Sequence, residues 1–269
     1  MKAQFVIATD LDGTLLDHYN YSWQAAKPGI ELAKQHKIPI IINTSKTAEE
    51  VFLLTRELDF NFPFVVENGS AIFIPKTQQP LDLAADFNIE VLGSARQQII
   101  DWLYAARNQN GWQFEGYHDW DIKQLISYTG LDENGAEKSM SRRYSEPIIW
   151  RDSDSQLQEF LHCVKEAGFT LLKGGRFLHV LGRTDKGEAN SWLLNNFYKT
   201  KNNATRLIAL GDSGNDIAML RRADIPVLVK SPAHDFPDHT FDVAVMHTKN
   251  TGPSGWTEAI ESILKREIN

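Results

Sequence analysis

Along this chain the apolar positions fall mostly in unbroken runs, with little of the alternation expected of strands exposed on one face. Phe5-Val6-Ile7-Ala8, Ile38-Pro39-Ile40-Ile41-Ile42, Phe62 to Val66, Leu207-Ile208-Ala209-Leu210 and Ile225 to Val229 are all of strand length. Continuous runs predict strands buried on both faces, and hence a parallel sheet. Segments with helical spacing lie between them. Pro28-Gly29 opens a helix carrying Ile30, Leu32 and Ala33, and Thr47-Ala48-Glu49-Glu50 reads as an N-cap with its capping box. Further helices are predicted from Lys186 to about Tyr198, around Ile217, Met219 and Leu220, and near Trp256 to Lys265. Asn68-Gly69, set between Phe62–Val66 and Ala71-Ile72-Phe73-Ile74, predicts a tight hairpin reversal.

The texture changes at about Pro75. A polar connector, Lys76 to Asp86, leads to a helix expected from about Ser94 to Asn108. An aromatic-rich stretch follows, with Trp112, Phe114, Tyr117, Trp120 and Tyr128, whose simplest role is a local hydrophobic core. Short strands are expected at Pro147 to Trp150, Thr170 to Lys173 and Phe177 to Leu181, with a helix from about Ser153 to Ala167. Strand-helix alternation resumes at Asp185. The predicted fold is therefore α/β: a Rossmann-like parallel-sheet core formed by 1–84 plus 185–269, interrupted by an inserted α+β domain at 85–184.

A chain of 269 residues is long enough to bury roughly 75% of its unfolded surface. The net charge of −7 argues against a nucleic-acid partner, which would require a basic face. It leaves room for a small anionic substrate, because a few local cations can overrule the mean field. Cys163, the single cysteine, lies among Phe160, Leu161 and Val164 and reads as a buried hydrophobe. With no internal disulfide, no run of membrane-spanning length, and too short an apolar run before Asp10 for a signal peptide, a cytoplasmic location is expected.

The chemistry concentrates at the predicted strand ends. Asp10 and Asp12 are spaced i, i+2, so they leave the strand on the same side, and Gly13 allows an immediate turn. In an open parallel sheet that edge is where ligands bind. Thr44-Ser45 ends the second strand, Lys186 opens a helix, and Asp212 and Asp216 follow a late strand. The set comprises a carboxylate nucleophile, an acid/base, a hydroxyl, a cation and further carboxylates. That inventory suits phosphoryl transfer with an oxygen-liganded Mg²⁺. Each piece also has a structural reading: Thr44-Ser45 as a strand terminus, Asp216 as a helix start, Arg142-Arg143 as a solvated pair, and His179 as a packed strand residue. Ser213 within Gly211-Asp212-Ser213-Gly214 would suit a serine esterase, with Asp238-His239 as the remaining pair, but nothing places that pair beside it. Neither a Walker A string nor G-x-G-x-x-G occurs.

Taken together, Asp10-Leu11-Asp12-Gly13-Thr14, Thr44, Lys186 and Gly211-Asp212-Ser213-Gly214-Asn215-Asp216 resemble the four motifs of the haloacid dehalogenase superfamily of phosphatases. The insert looks like the large cap of its Cof-type members. Asn43-Thr44-Ser45-Lys46-Thr47, Glu67-Asn68-Gly69-Ser70 and Arg143-Tyr144-Ser145-Glu146-Pro147 are similar to strings of the mannosyl-3-phosphoglycerate phosphatases. The resemblance implies that Asp10 is the nucleophile and Asp12 the acid/base, with Thr44 and Lys186 holding phosphoryl oxygens. It implies Mg²⁺ at Asp10, Asp12, Asp212 and Asp216. It also implies contacts to a phosphorylated sugar from Ser45, Glu67, Asn68, Gly69, Arg143, Ser145, Arg176 and Asn215. A general sugar phosphatase or a phosphomutase of the same superfamily fits the motifs too.

Overall fold

The computed structural model describes residues 4–77, 79–80, 82–174, 176–198 and 205–268. The chain begins with β1 (Gln4–Thr9), α1 (Lys27–Gln35), β2 (Ile40–Ile42), α2 (Ala48–Glu57), β3 (Phe64–Val66), β4 (Ala71–Pro75) and β5 (Phe87–Val91). It continues with α3 (Arg96–Asn110), β6 (Phe114–Gly116), α4 (Ile122–Thr129), α5 (Glu133–Met140), β7 (Ser145–Trp150), α6 (Asp154–Glu166), β8 (Phe169–Lys173) and β9 (Leu178–Gly182). It ends with α7 (Lys186–Asn196), β10 (Thr205–Gly211), α8 (Ile217–Arg221), β11 (Ile225–Lys230), β12 (Met246–Thr251) and α9 (Gly252–Ile268).

Contacts group the chain into two units, 1–44 with 62–65 and 185–269, and 45–61 with 66–184. Residues 45–61 and 66–84 thus make their contacts with the insert. In the first unit a five-stranded sheet runs in the order β12-β11-β10-β1-β2, and every pairing in it is parallel. Phe5, Val6, Ile7 and Ala8 of β1 and Leu207 to Leu210 of β10 are all buried, which is why both read as unbroken apolar runs. The carboxyl ends of the strands are tied to the helices by buried polar contacts. The Trp256 indole of α9 donates to Thr9 Oγ1 (3.0 Å), and that hydroxyl donates to the Asp10 carbonyl (2.8 Å). Asn43, just after β2, donates from Nδ2 to the Lys186 carbonyl (2.8 Å) and to Asn190 Oδ1 (2.9 Å), fixing the start of α7 against the sheet edge.

The second unit contains an antiparallel sheet of order β6-β7-β9-β8. One of its hydrophobic clusters joins Trp112, Phe114, Ile148, Phe160 and Val180, with Ile99 and Leu103 from α3. Another gathers Tyr117, Trp120, Leu125 and Ala136, with Phe177 packed on it. The aromatic stretch is therefore core material, except that Tyr128 is 37% exposed. Cys163 is only half-buried, packed at the edge of the first cluster, because α6 turns Phe160 and Val164 inward in its place. His179 is buried within β9, as a packed strand residue should be. Thr47 caps α2 with the expected box: Glu50 N donates to Thr47 Oγ1 (3.3 Å) and Thr47 N to Glu50 Oε2 (2.8 Å). The reversal at Asn68-Gly69 is a 3-10 turn, Glu67–Gly69, with Glu67, Asn68 and Gly69 all at positive φ (49°, 59°, 94°).

Candidate active site

Four side chains converge at the carboxyl edge of the parallel sheet, and all belong to the first unit. Asp10 follows β1, Asp212 and Asp216 follow β10, and Lys186 begins α7. The fully buried Lys186 Nζ lies 2.6 Å from Asp10 Oδ1 and 2.6 Å from Asp216 Oδ1. Oxygens of Asp10, Asp212 and Asp216 lie within 4.8 Å of one another. Asp216 does double work: its Oδ2 accepts from the backbone N–H groups of Asp212 and Ser213 (both 3.1 Å), while Oδ1 takes the lysine. It thus both caps the turn that opens its helix and stands among the three carboxylates. Thr14 Oγ1 donates to Asp212 Oδ1 (3.3 Å). Thr44 is buried, with its N–H on the Val65 carbonyl (3.1 Å).

Two glycines make this approach possible. Gly13 sits at φ +81°, and a Cβ there would come within 2.6 Å of Asp212 Oδ2. A Cβ on Gly211 would lie 2.4 Å from Asp216 Cβ. The turn closes through Leu16 N on the Leu11 carbonyl (2.8 Å) and Gly13 N on the Leu16 carbonyl (2.9 Å), and Asp12 within it is half-buried.

The electrostatics follow from burial. Loss of solvent, and then the neighbouring Asp216, push the Asp10 carboxyl well above the usual carboxylate range, with Lys186 opposing. Burial and Asp216 likewise push Asp212 up to about 7. Burial alone would lower the Lys186 ammonium, but Asp10 and Asp216 more than offset it and hold the lysine above its ordinary value. One ammonium does not neutralise three buried carboxylates. A hard divalent cation would, and an all-oxygen donor set is the kind such ions take, so the residues fit the implied metal.

Ser213 Oγ donates to Asn215 Oδ1 (2.5 Å), and its other contact is Asp216, so it is set in an acidic turn with no histidine base among its described partners. His234, on the segment after β11, places Nε2 3.4 Å from Asp212 Oδ2. Neither that contact nor the Asn43 tie had a motif to announce it; both depend on tertiary placement.

The other predicted residues lie in the second unit. Glu67, 1% exposed, accepts from Arg143 N (2.9 Å), Tyr144 N (3.1 Å) and Ser145 Oγ (2.7 Å). Asn68 is also buried, within the same turn. Thr184 Oγ1 donates to the Gly69 carbonyl (3.1 Å). The Arg143 guanidinium points to Glu49 and is largely exposed. Arg142 is the buried one of the pair: its Nη1 donates to the Ser45 carbonyl (3.2 Å) and Ser145 Oγ (3.1 Å), and its guanidinium lies over the Tyr117 ring. Arg176 donates to the Tyr128 and Thr129 carbonyls at the end of α4, a favourable position for a cation.

The sequence profile of haloacid dehalogenase-like hydrolases matches residues 7–235. A glucosyl-3-phosphoglycerate/mannosyl-3-phosphoglycerate phosphatase of Methanococcoides burtonii is 35% identical over 269 residues, spanning 98% of each chain. One of the same name from Persephonella marina is 34% identical, spanning 96% of this chain and 97% of its own. A haloacid dehalogenase-like hydrolase from B. subtilis shares the fold at a TM-score of 0.67 and 17% identity, over 96% of this chain and 99% of that one. The sucrose-phosphatase of Synechocystis does so at 0.60 and 15%, over 97% and 98%. With that profile covering most of its length and two relatives about a third identical across nearly the whole chain, the chain belongs to the haloacid dehalogenase-like hydrolase family.

Proposed function

We propose that this protein is a phosphomonoester phosphatase that removes phosphate from mannosyl-3-phosphoglycerate and its glucosyl counterpart, through an aspartyl-phosphate on Asp10. The observation that carries the chemistry is the buried Asp10–Lys186–Asp216 chain beside Asp212. The names of the two relatives support the substrate. Asp10 attacks phosphorus, and Lys186, 2.6 Å away, holds the attacking carboxylate in one orientation. Asp12 gives a proton to the departing alkoxide, then takes one from the water that hydrolyses the acyl phosphate. Thr44 and Lys186 donate to the phosphoryl oxygens. Mg²⁺, held by the Asp10 and Asp212 carboxylates and the Asp12 carbonyl, with Asp216 directly or through water, would supply charge opposite those oxygens.

Residues 85–184 serve in this reading as a substrate-recognising cap, with arginine as the best-shaped partner for the glycerate carboxylate. Ser45, Glu67, Asn68, Gly69, Ser145 and Asn215 complete the recognition set. The exposed Arg143 and Arg176 guanidiniums rest on the Glu49 carboxylate and on the Tyr128 and Thr129 carbonyls. The test is phosphate release from mannosyl-3-phosphoglycerate, glucosyl-3-phosphoglycerate and mannose 6-phosphate, with Mg²⁺ or EDTA, for wild type, Arg143→Ala and Arg176→Ala. Loss of the contacting arginine should cost about 2–5 kcal/mol in kcat/KM on the glycerate substrates and much less on the simple sugar phosphate. A wild-type preference for mannose 6-phosphate would replace this assignment with that of a general sugar phosphatase.

A further inference from the structure

A lysine ammonium rides on a flexible stem, so Lys186 can bridge Asp10 and Asp216 reproducibly only if its own backbone is held at the right distance. One fully buried, uncharged side chain holds it. Asn43, just after β2, donates from Nδ2 to the Lys186 carbonyl (2.8 Å), and its main-chain N–H donates to the Thr9 carbonyl (2.8 Å). Thr9 is joined covalently to Asp10, and Lys186 Nζ returns to Asp10 Oδ1 at 2.6 Å. A closed ring of contacts thus links the end of β1, Asn43 and both ends of the lysine. The orientation of the amide follows from its partners. A carbonyl only accepts, so the Asn43 atom facing Lys186 is nitrogen, and the Asn190 atom 2.9 Å from that nitrogen is oxygen. Asn43 Oδ1 and Asn190 Nδ2 are then left buried with no hydrogen-bond partner among the described residues. Each such atom costs stability, and a pair kept only for packing would be better served by apolar side chains of like volume. A half-satisfied amide pair at this position points to a use in the site beside it.

We infer, on the reading of Asp10 as nucleophile and Lys186 as the group that holds it, that Asn43 is a positioning residue: it fixes the Lys186 backbone so that the ammonium keeps the attacking carboxylate in line. Asn190 supplies the control. Asn190→Ala removes the same bond between side chains but leaves the tie from Asn43 to the Lys186 carbonyl in place. Steady-state kinetics on mannosyl-3-phosphoglycerate with Mg²⁺, and urea unfolding of the metal-free protein, compare Asn43→Ala, Asn43→Thr and Asn190→Ala; threonine nearly keeps the volume of asparagine should alanine leave the strand end too loose. Both Asn43 variants should lower kcat by about 10–100-fold while KM moves less than about threefold. Asn190→Ala should keep kcat within about threefold, although its urea midpoint falls as far as that of Asn43→Ala. A second readout needs no turnover. Lys186→Met should shift the urea midpoint less in the Asn43→Ala background than in wild type, because an untied lysine no longer sits squarely on both carboxylates. Losses of kcat that follow the midpoint equally in the Asn43 and Asn190 variants, or Lys186→Met shifts that are the same in both backgrounds, would overturn the inference. The underlying reading fails separately, if Asp10→Asn retains turnover.

Discussion

The three carboxylates around one lysine make a prediction about stability that does not depend on substrate. The Asp212 carboxyl stands at about 7 in the folded protein against 3.8 as its ordinary value. Above about pH 4 the unfolded chain has therefore released a proton that the folded chain still holds. The unfolded state binds fewer protons throughout that window, so stability falls as pH rises, until Asp212 itself ionises near 7. From about pH 5 to about pH 8 some two pH units of this difference are lost, on the order of 3 kcal/mol. For a chain of this size that is roughly 5–10 °C in melting temperature. A divalent cation takes the place of the proton and should restore most of the loss. The assay is thermal and urea unfolding of EDTA-treated protein at the two pH values, for wild type and Asp212→Asn, each repeated with Mg²⁺. Comparison with the variant removes the titration of groups elsewhere in the chain. The reasoning fails if wild type and Asp212→Asn lose the same stability between the two pH values, or if Mg²⁺ stabilises both equally.

Asp10→Asn keeps shape while removing the attacking charge, so turnover should vanish with the melting temperature retained; phosphatase activity like that of wild type, with deamidation excluded, would falsify the nucleophile assignment. Lys186→Met leaves Asp10 and Asp216 buried without their ammonium and should lower metal-free stability by about 3–5 kcal/mol in urea unfolding. An unchanged midpoint would show that the lysine is not the compensating charge. Glu67→Gln exchanges one acceptor oxygen for a donor facing either Arg143 N or the pair Tyr144 N and Ser145 Oγ, at a cost of about 1–3 kcal/mol per donor left unpaired. A loss below that range would mean that the 67–70 turn is held by other contacts.

The central strands and their acids were legible because both signals are local: an unbroken apolar run marks double burial, and Asp10-Leu11-Asp12-Gly13 carries its geometry within a few bonds. β5 was not legible, since Phe-Asn-Ile-Glu-Val buries only Phe87 and leaves Ile89 and Val91 exposed. β12, Met-His-Thr-Lys-Asn-Thr, has almost no apolar signal and is defined by its main-chain pairing to β11. β6, α4 and α5 are short elements hidden inside a stretch dominated by aromatics. Asn-Gly correctly marked the reversal after β3, but the positive φ at Glu67 depends on a carboxylate held by residues 143–145, far away in sequence. Adjacent arginines were indistinguishable until their directions were known: Arg142 turns inward over Tyr117 and Arg143 outward to Glu49.

The order of the parallel sheet also has a temporal consequence. β1 is an interior strand, with β2 on one side and β10 on the other, and its register joins Val6 to Leu207. The second neighbour is therefore made about 165 residues after the first, a long-range pairing of the kind that slows folding. At ribosomal speeds that interval is roughly 8–33 s. Throughout it the nascent chain carries one of its most apolar strands with an open edge, and before it ends β6 to β9 have all their sheet partners. The insert can complete its own sheet before the parallel core exists, and the strand that carries Asp10 depends during synthesis on whatever shields unpaired edges in the cell.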